Sequence, residues 1–241
     1  SGWDAPAIVA LCEIENRYVL EKLTNETPLK SIPYRIIHKE SPDFRGIDVA
    51  LLYNSEQFYP LTYECYPLKT KNGQVMKSRE ILYVSGILGG VDTLHIFVNH
   101  WPSRYSGVME TRELRNGAAR LLREKIEQVL ATNQKSKIIV LGDFNDNPTD
   151  ESIKDVLQAS FVSENINTKG LYNLSANWLG NDIGTLKYQS QWDVFDQIIV
   201  SGALLESEAG YKTSVKNARI VQLPFLFEDD TKFGNNSFVL L

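Results

Sequence analysis

Short apolar runs broken by Pro, Gly, Asn and Ser dominate the N-terminal half of the chain. Such runs predict strands with turns between them. Ala7–Ile14 is nearly continuous in apolar residues and reads as a central strand buried on both faces. Tyr34–His38, Asp48–Tyr53 and Phe58–Tyr66 follow as strands. Ile81–Leu88 and Leu94–Asn99 flank Gly89-Gly90 and predict a hairpin. Lys137–Leu141 and Phe195–Val200 are two further strands of the buried type. The clearest helix covers Glu110–Ala131, where Leu114, Ala118, Leu122, Ile126 and Val129 share one face at helical spacing. Gly117 weakens it by roughly 1 kcal/mol relative to alanine. A shorter helix is predicted over Arg17–Leu23. Another is predicted to start near Asp150, capped by Thr149 or Asp150. No repeat, low-complexity tract or long linker divides the chain. The expected class is α/β, strand-rich, in one domain over residues 1–241.

Composition narrows the function more than the fold. With 241 residues, 43% hydrophobic and 23% charged, the chain is long and apolar enough for a sizeable core. The net charge of -5 argues against a groove that holds nucleic acid by bulk positive charge. A phosphate ligand would need local cations or metal ions. Cys12 and Cys65 show no disulfide framework or zinc spacing. No apolar stretch approaches membrane-spanning length. The start at Ser1-Gly2 is not a natural initiation, so a removed export signal would leave no trace.

Four strand ends carry polar groups. Gly142 ends an apolar strand, and Asp143 and Asn145 lie two apart on the extended path beyond it. Their side chains then share a side. A carboxylate there can hold a hard cation or position a water, and the amide can donate to a phosphoryl oxygen. An ordinary polar turn ending at Pro148 explains the same residues about as well. Glu13 closes Leu11-Cys12-Glu13-Ile14. A buried carboxylate needs a cation or strong donors, whereas a capping role for Glu13 and Glu15 before Arg17 is the simpler alternative. Asn99 and His100 close a third strand, followed by Trp101-Pro102-Ser103-Arg104. Histidine can carry a proton or donate to phosphate, and arginine grips it with two bonds. His38 and His95 read as structural. Asp196 opens a buried strand, where it would orient a basic partner or form an edge ion pair. Trp101, Tyr105, Trp178 and Trp192 would line a groove or fill the core.

Taken in order, these segments resemble the endonuclease/exonuclease/phosphatase family. Leu141-Gly142-Asp143-Phe144-Asn145 matches its Gly-Asp-x-Asn motif, and Leu11-Cys12-Glu13-Ile14 resembles its glutamate motif. Asn99-His100 and Phe195-Asp196-Gln197-Ile198-Ile199 resemble its histidine and C-terminal aspartate motifs. Cys-Glu-Ile-Glu-Asn, Asn-His-Trp-Pro-Ser-Arg and Arg45-Gly46-Ile47-Asp48 are similar to bacterial nuclease-like members, many of them exported. The resemblance implies a DNase I-like four-layer sandwich, two mainly antiparallel sheets between helices. It implies divalent-metal-dependent hydrolysis of phosphate esters, first a phosphodiesterase or nuclease. Phospholipid or sugar-phosphate hydrolysis, or an inactive phosphate-binding module, are the alternatives. It implies Glu13, Asp143 and Asn145 at a Mg²⁺ or Mn²⁺ ion, with His100, Asp143, Asn145 and Asp196 in catalysis. It places Arg104 and Arg45 on the substrate phosphate. The implied partner is nucleic acid or another phosphate ester, the implied state a monomer, and the implied location periplasmic or extracellular. The family also has a first strand ending in a metal-site asparagine and a last Ser-Asp-His strand. Neither is found here, and no histidine follows His100. Trimming at both ends is the expected reason.

Overall fold

The computed structural model describes residues 5–70, 72–229 and 236–238, the last three and residue 229 as backbone only. The end around Asn235–Leu241, where the Ser-Asp-His motif was sought, lies otherwise outside the described residues.

Two sheets face each other between helices. The smaller holds β1 (Ile8–Ile14), β3 (Asp48–Asn54) and β2 (Tyr34–His38), in that order and antiparallel. The larger runs β4 (Phe58–Tyr66), β5 (Ile81–Leu88), β6 (Asp92–His100), β7 (Lys137–Asp143), β12 (Asp196–Ser201), β9 (Leu171–Asn173) and β8 (Ala159–Phe161). Only β6–β7 and β8–β9 are parallel. The β6–β7 crossover is the long helix α2 (Val108–Thr132), as a parallel connection requires.

Three apolar layers separate these four. Ala118, Leu122 and Ile126 of α2 pack on Ile138, Val140 and Ile199 of the large sheet. Ile37, Val49 and Leu51 meet Leu82, Val84, Ile96 and Val98 between the sheets. Leu20 of α1 (Arg17–Glu26) packs on Ala50 and Leu52 outside the small sheet. The four-layer sandwich expected from sequence is the observed architecture.

The element boundaries follow local chemistry. Asn16 accepts from the Val19 amide at 3.1 Å and caps α1, so neither Glu13 nor Glu15 does. The α1 helix runs three residues past the predicted Leu23, with the Thr24 hydroxyl bonding back to the Leu20 carbonyl at 3.0 Å. Near Asp150 only a short π-helical turn forms, Ser152–Val156, with no side-chain cap. The largest departure is β1. The apolar run predicts a central strand, yet among the described residues β1 is the edge of the small sheet and none of its residues is fully buried. Periodicity reports which side chains avoid water, not which backbone edge is paired. Trp101 is a core residue at 0% exposure, and Tyr105 is exposed. Among the described residues, no helix is long and apolar enough to cross a membrane.

Candidate functional site

Adjacent strands of the large sheet bring three predicted residues into one row. His100 on β6 is the register partner of Asp143 on β7, and Asp143 is the partner of Asp196 on β12. The row is at one rim, where the strand ends meet β1. Glu13 stands there at a break in the β1–β3 register between Leu11 and Ile14, with a φ of 59°. A bulge with a left-handed residue re-aims a side chain that the strand alternation would otherwise fix. Glu13 acts electrostatically on both Asp143 and Asp196. Four residues separated widely in sequence thus converge, as their polar strand-end positions implied.

The turn after β7 needs Gly142. Its φ is +126°, and a Cβ there would lie 2.0 Å from the Asn99 carbonyl oxygen. The backbone then places Asp143 Oδ1 on the Asn145 amide at 2.8 Å. The Asn145 side-chain amide donates to Asp143 Oδ2 at 3.2 Å and to the Trp101 carbonyl at 3.0 Å. Asn99, fully buried, donates to the Phe97 carbonyl and accepts from the Trp101 indole at 3.0 Å. It is a structural hub of the strand end.

The ionisable groups are strongly perturbed. Asp143 is pushed up to about 7, first by burial and then by Asp196; its hydrogen bond from Asn145 and the charge of Arg79 act in the opposite direction. Asp196 is raised by loss of surrounding water and by Glu13, with the Thr185 hydroxyl opposing. His100 Nε2 is 3.5 Å from Asp143 Oδ2, and its Nδ1 is buried without a hydrogen bond. Burial, then Arg79 and Arg45, push its pKa down to about 3, so the ring is neutral at ordinary pH.

Arg79 was not singled out in the sequence. It is 4% exposed, donates from Nη1 to Asp43 Oδ2 at 2.9 Å and from Nη2 to the Trp101 carbonyl at 2.6 Å, and keeps a buried, unbonded Nε. A cation in a Ser-Arg-Glu segment gives no local signal, and only the fold brings it to the rim. Arg45 lies 3.6 Å from Asp43, retains exposure and reaches His100 electrostatically.

Arg104 departs from its expected place on a phosphate. It donates to the Asn145 carbonyl at 2.7 Å and pairs with Asp146 at 2.7 Å and Asp150 at 2.5 Å, over the Phe195 ring. Its charge is already matched, and it clamps the loop from behind. Asp146, unnoticed in the sequence, also meets Ser152 and Arg115. Gln197 donates to its carbonyl at 2.6 Å. Among the described residues Asp196 has no imidazole partner; its amide and that of Phe195 bond the Thr185 hydroxyl at 3.0 and 2.9 Å.

Glu13, Asp143 and Asp196 supply hard oxygen donors of the kind a divalent cation takes, but among the described residues their oxygens do not all lie within 4.8 Å of one another. Among the described residues the one group of three with ligand atoms that close is His38, Glu40 and Asp48, and there His38 and Asp48 already bond each other at 3.0 Å.

This layout of sheets and rim is a four-layer α/β sandwich, and the sequence places it in a family: the profile of the Endonuclease/Exonuclease/phosphatase family matches residues 1–238, so the chain belongs to that family. Among solved structures it is similar to the human Nocturnin catalytic domain with bound sulfate anion, at a TM-score of 0.59 and 17% identity over 81% of this chain and 69% of that one. Truncated Caenorhabditis elegans TDP2 gives 0.56 and 18%, covering 82% and 71%. ANGEL2, described as a 2',3'-cyclic phosphatase, gives 0.58 and 13%, covering 81% and 69%. At these identities the likeness is one of fold. No curated protein matches the sequence.

Proposed function

We propose that this rim hydrolyses phosphate esters with a divalent metal, Mg²⁺ or Mn²⁺, and that a phosphodiester such as nucleic acid is the first substrate class. The observation that carries the reading is the row His100–Asp143–Asp196 with Glu13 above it. Glu13 and Asp143 would hold the metal, with Asn145 beside them. A bound cation supplies charge stabilisation at the phosphoryl oxygens. Asp143 stands at about 7 without the metal, and a bound cation would lower that value, so as a ligand its role is to orient the attacking water. His100, neutral, can donate a hydrogen bond to a phosphoryl or leaving oxygen. Asn145 can donate to the phosphate, Asp196 fixes the far side of the row, and Arg45 offers an exposed cation. The resemblance to exported bacterial members extends the proposal to a periplasmic or extracellular location.

One observation favours a second reading. Asp196 has no histidine partner among the described residues, which suits a chain that binds a phosphate ligand without turning it over. Hydrolysis of bis-p-nitrophenyl phosphate and of plasmid DNA, with Mg²⁺ and with EDTA, separates the two. Metal-dependent turnover that is lost in Glu13→Gln and Asp143→Asn, in folded protein, supports the enzyme. Turnover unchanged in both variants removes it. Phosphate binding without turnover supports the second reading.

A further inference from the structure

Two loops border the rim, residues 39–47 between β2 and β3 and residues 101–107 between β6 and α2. Each presents an aromatic ring to water. Phe44 is 79% exposed and Tyr105 97%, which makes them the two most exposed large apolar side chains among the described residues. Apolar side chains scattered singly over a surface need no explanation. These two are not scattered. Asp43 and Arg45, on either side of Phe44 in the chain, both act electrostatically on His100. Arg104, next to Tyr105, donates from Nε to the Asn145 carbonyl at 2.7 Å. The rings that water surrounds most fully therefore stand on the segments that border the row.

Both segments are anchored. The Arg45 amide donates to Asp43 Oδ1 at 2.9 Å, and Asp43 Oδ2 accepts from Arg79 at 2.9 Å, so Phe44 projects from the tip of a pinned turn. Arg104 also holds Asp146 and Asp150, so Tyr105 leaves a fixed point. Both loops, and the elements that carry them, lie wholly within the described residues.

We infer that Phe44 and Tyr105 are specificity-determining residues of this rim, each stacking an unpaired nucleobase of a single-stranded substrate while the row holds a neighbouring phosphate. This rests on the reading of the row as a phosphodiester site. Stacking needs an open ring face, which an unpaired base offers and a duplex hides within its own stack. The charge balance points the same way. At a net charge of -5 the chain gains little from bulk attraction to a polyanion, and the row itself brings carboxylates. Ring stacking supplies affinity that does not depend on backbone charge. A lipid surface fits less well. Val108 and Met109 are exposed near Tyr105 in the chain, whereas Phe44 stands between Asp43 and Arg45. A bilayer would engage the first group and leave Phe44 without a role.

The probes are fluorescent single strands with phosphorothioate links, which resist cleavage: an oligothymidylate, and an abasic strand of equal length and charge. Anisotropy titration in Mg²⁺ should show the base-bearing strand bound about tenfold or more tightly than the abasic one. Phe44→Ala and Tyr105→Ala should each lower that preference severalfold and together abolish it. Neither should alter the affinity for the abasic strand or the thermal unfolding midpoint. Phe44→Trp and Tyr105→Trp should keep the preference, and pairing the strand with its complement should remove it. Equal binding of the two strands, or none, overturns the inference, as does a preference that survives the double variant. Flotation with phosphatidylcholine vesicles that is lost in the same variants assigns the rings to a lipid surface and overturns it too. Binding is read without turnover, so a strand held by its bases but never cleaved refutes the hydrolytic reading alone. Cleavage indifferent to the bases refutes this one alone.

Discussion

Asp143 and Asp196 face each other as register partners on β7 and β12, so two carboxylates lie at the ends of neighbouring strands and Asp196 raises the cost of ionising Asp143. An acid whose folded pKa stands above its unfolded value favours the native state while protonated. For Asp143 that benefit is complete below 3.8 and is lost as pH rises through about 7. Asp143→Asn should therefore stabilise the metal-free protein at pH 8, by up to about 4 kcal/mol, and should have no effect near pH 4. Thermal unfolding in EDTA at both values checks this. A variant less stable than wild type at pH 8 contradicts the crowding.

The opposite sign holds for His100. Its folded pKa is depressed to about 3, so its contribution is full above 6.5 and is lost as pH falls toward 3. Ring nitrogen shifts measured by NMR should leave His100 neutral down to about pH 4. Titration of His100 near 6.5 would show that the ring is not held as described.

Gly142→Ala places a methyl group against the Asn99 carbonyl at a backbone angle that side chains rarely adopt. The expected loss is more than about 3 kcal/mol. Urea unfolding measures it, and a loss below about 1 kcal/mol would mean the loop can relax away.

The two arginines should separate kinetically, given an assayable substrate. Arg45→Ala removes an exposed cation near the row and should raise KM for a phosphate ester with kcat little changed. Arg104→Ala uncovers Asp146 and Asp150 and loosens the Asn145 loop. It should lower stability by about 3 kcal/mol and reduce kcat more than it changes KM. The reverse pattern would return Arg104 to the phosphate.

The positions of polar residues at strand ends were legible in the sequence. Glu13, His100, Asp143, Asn145 and Asp196 all follow or open apolar runs; strand pairing carries His100, Asp143 and Asp196 into one row, while sheet packing brings Glu13 and the turn at Gly142 brings Asn145 to the same rim. The four layers followed from the family resemblance, whereas the periodicity of α2 and the sandwich strands predicts only the elements that fill them. The short strands β8, β9, β10 (Leu186–Tyr188) and β11 (Gln191–Asp193) were not legible, because three residues contain too little alternation to read. Arg79 and Asp43 were missed because their value lies in a contact across 36 positions. Arg104 was misplaced because its neighbours Asp146 and Asp150 claim it only after the loop folds.

The Trp101 carbonyl oxygen accepts from both Arg79 and Asn145. One acceptor with two donors makes their positions interdependent. A change at Asp43, which never approaches Asn145 in sequence, lets the guanidinium shift and alters the hold on the Asn145 amide. Double-mutant thermodynamics at Asp43 and Asn145 should therefore be non-additive, and substitutions tolerated at one position should depend on the residue carried at the other.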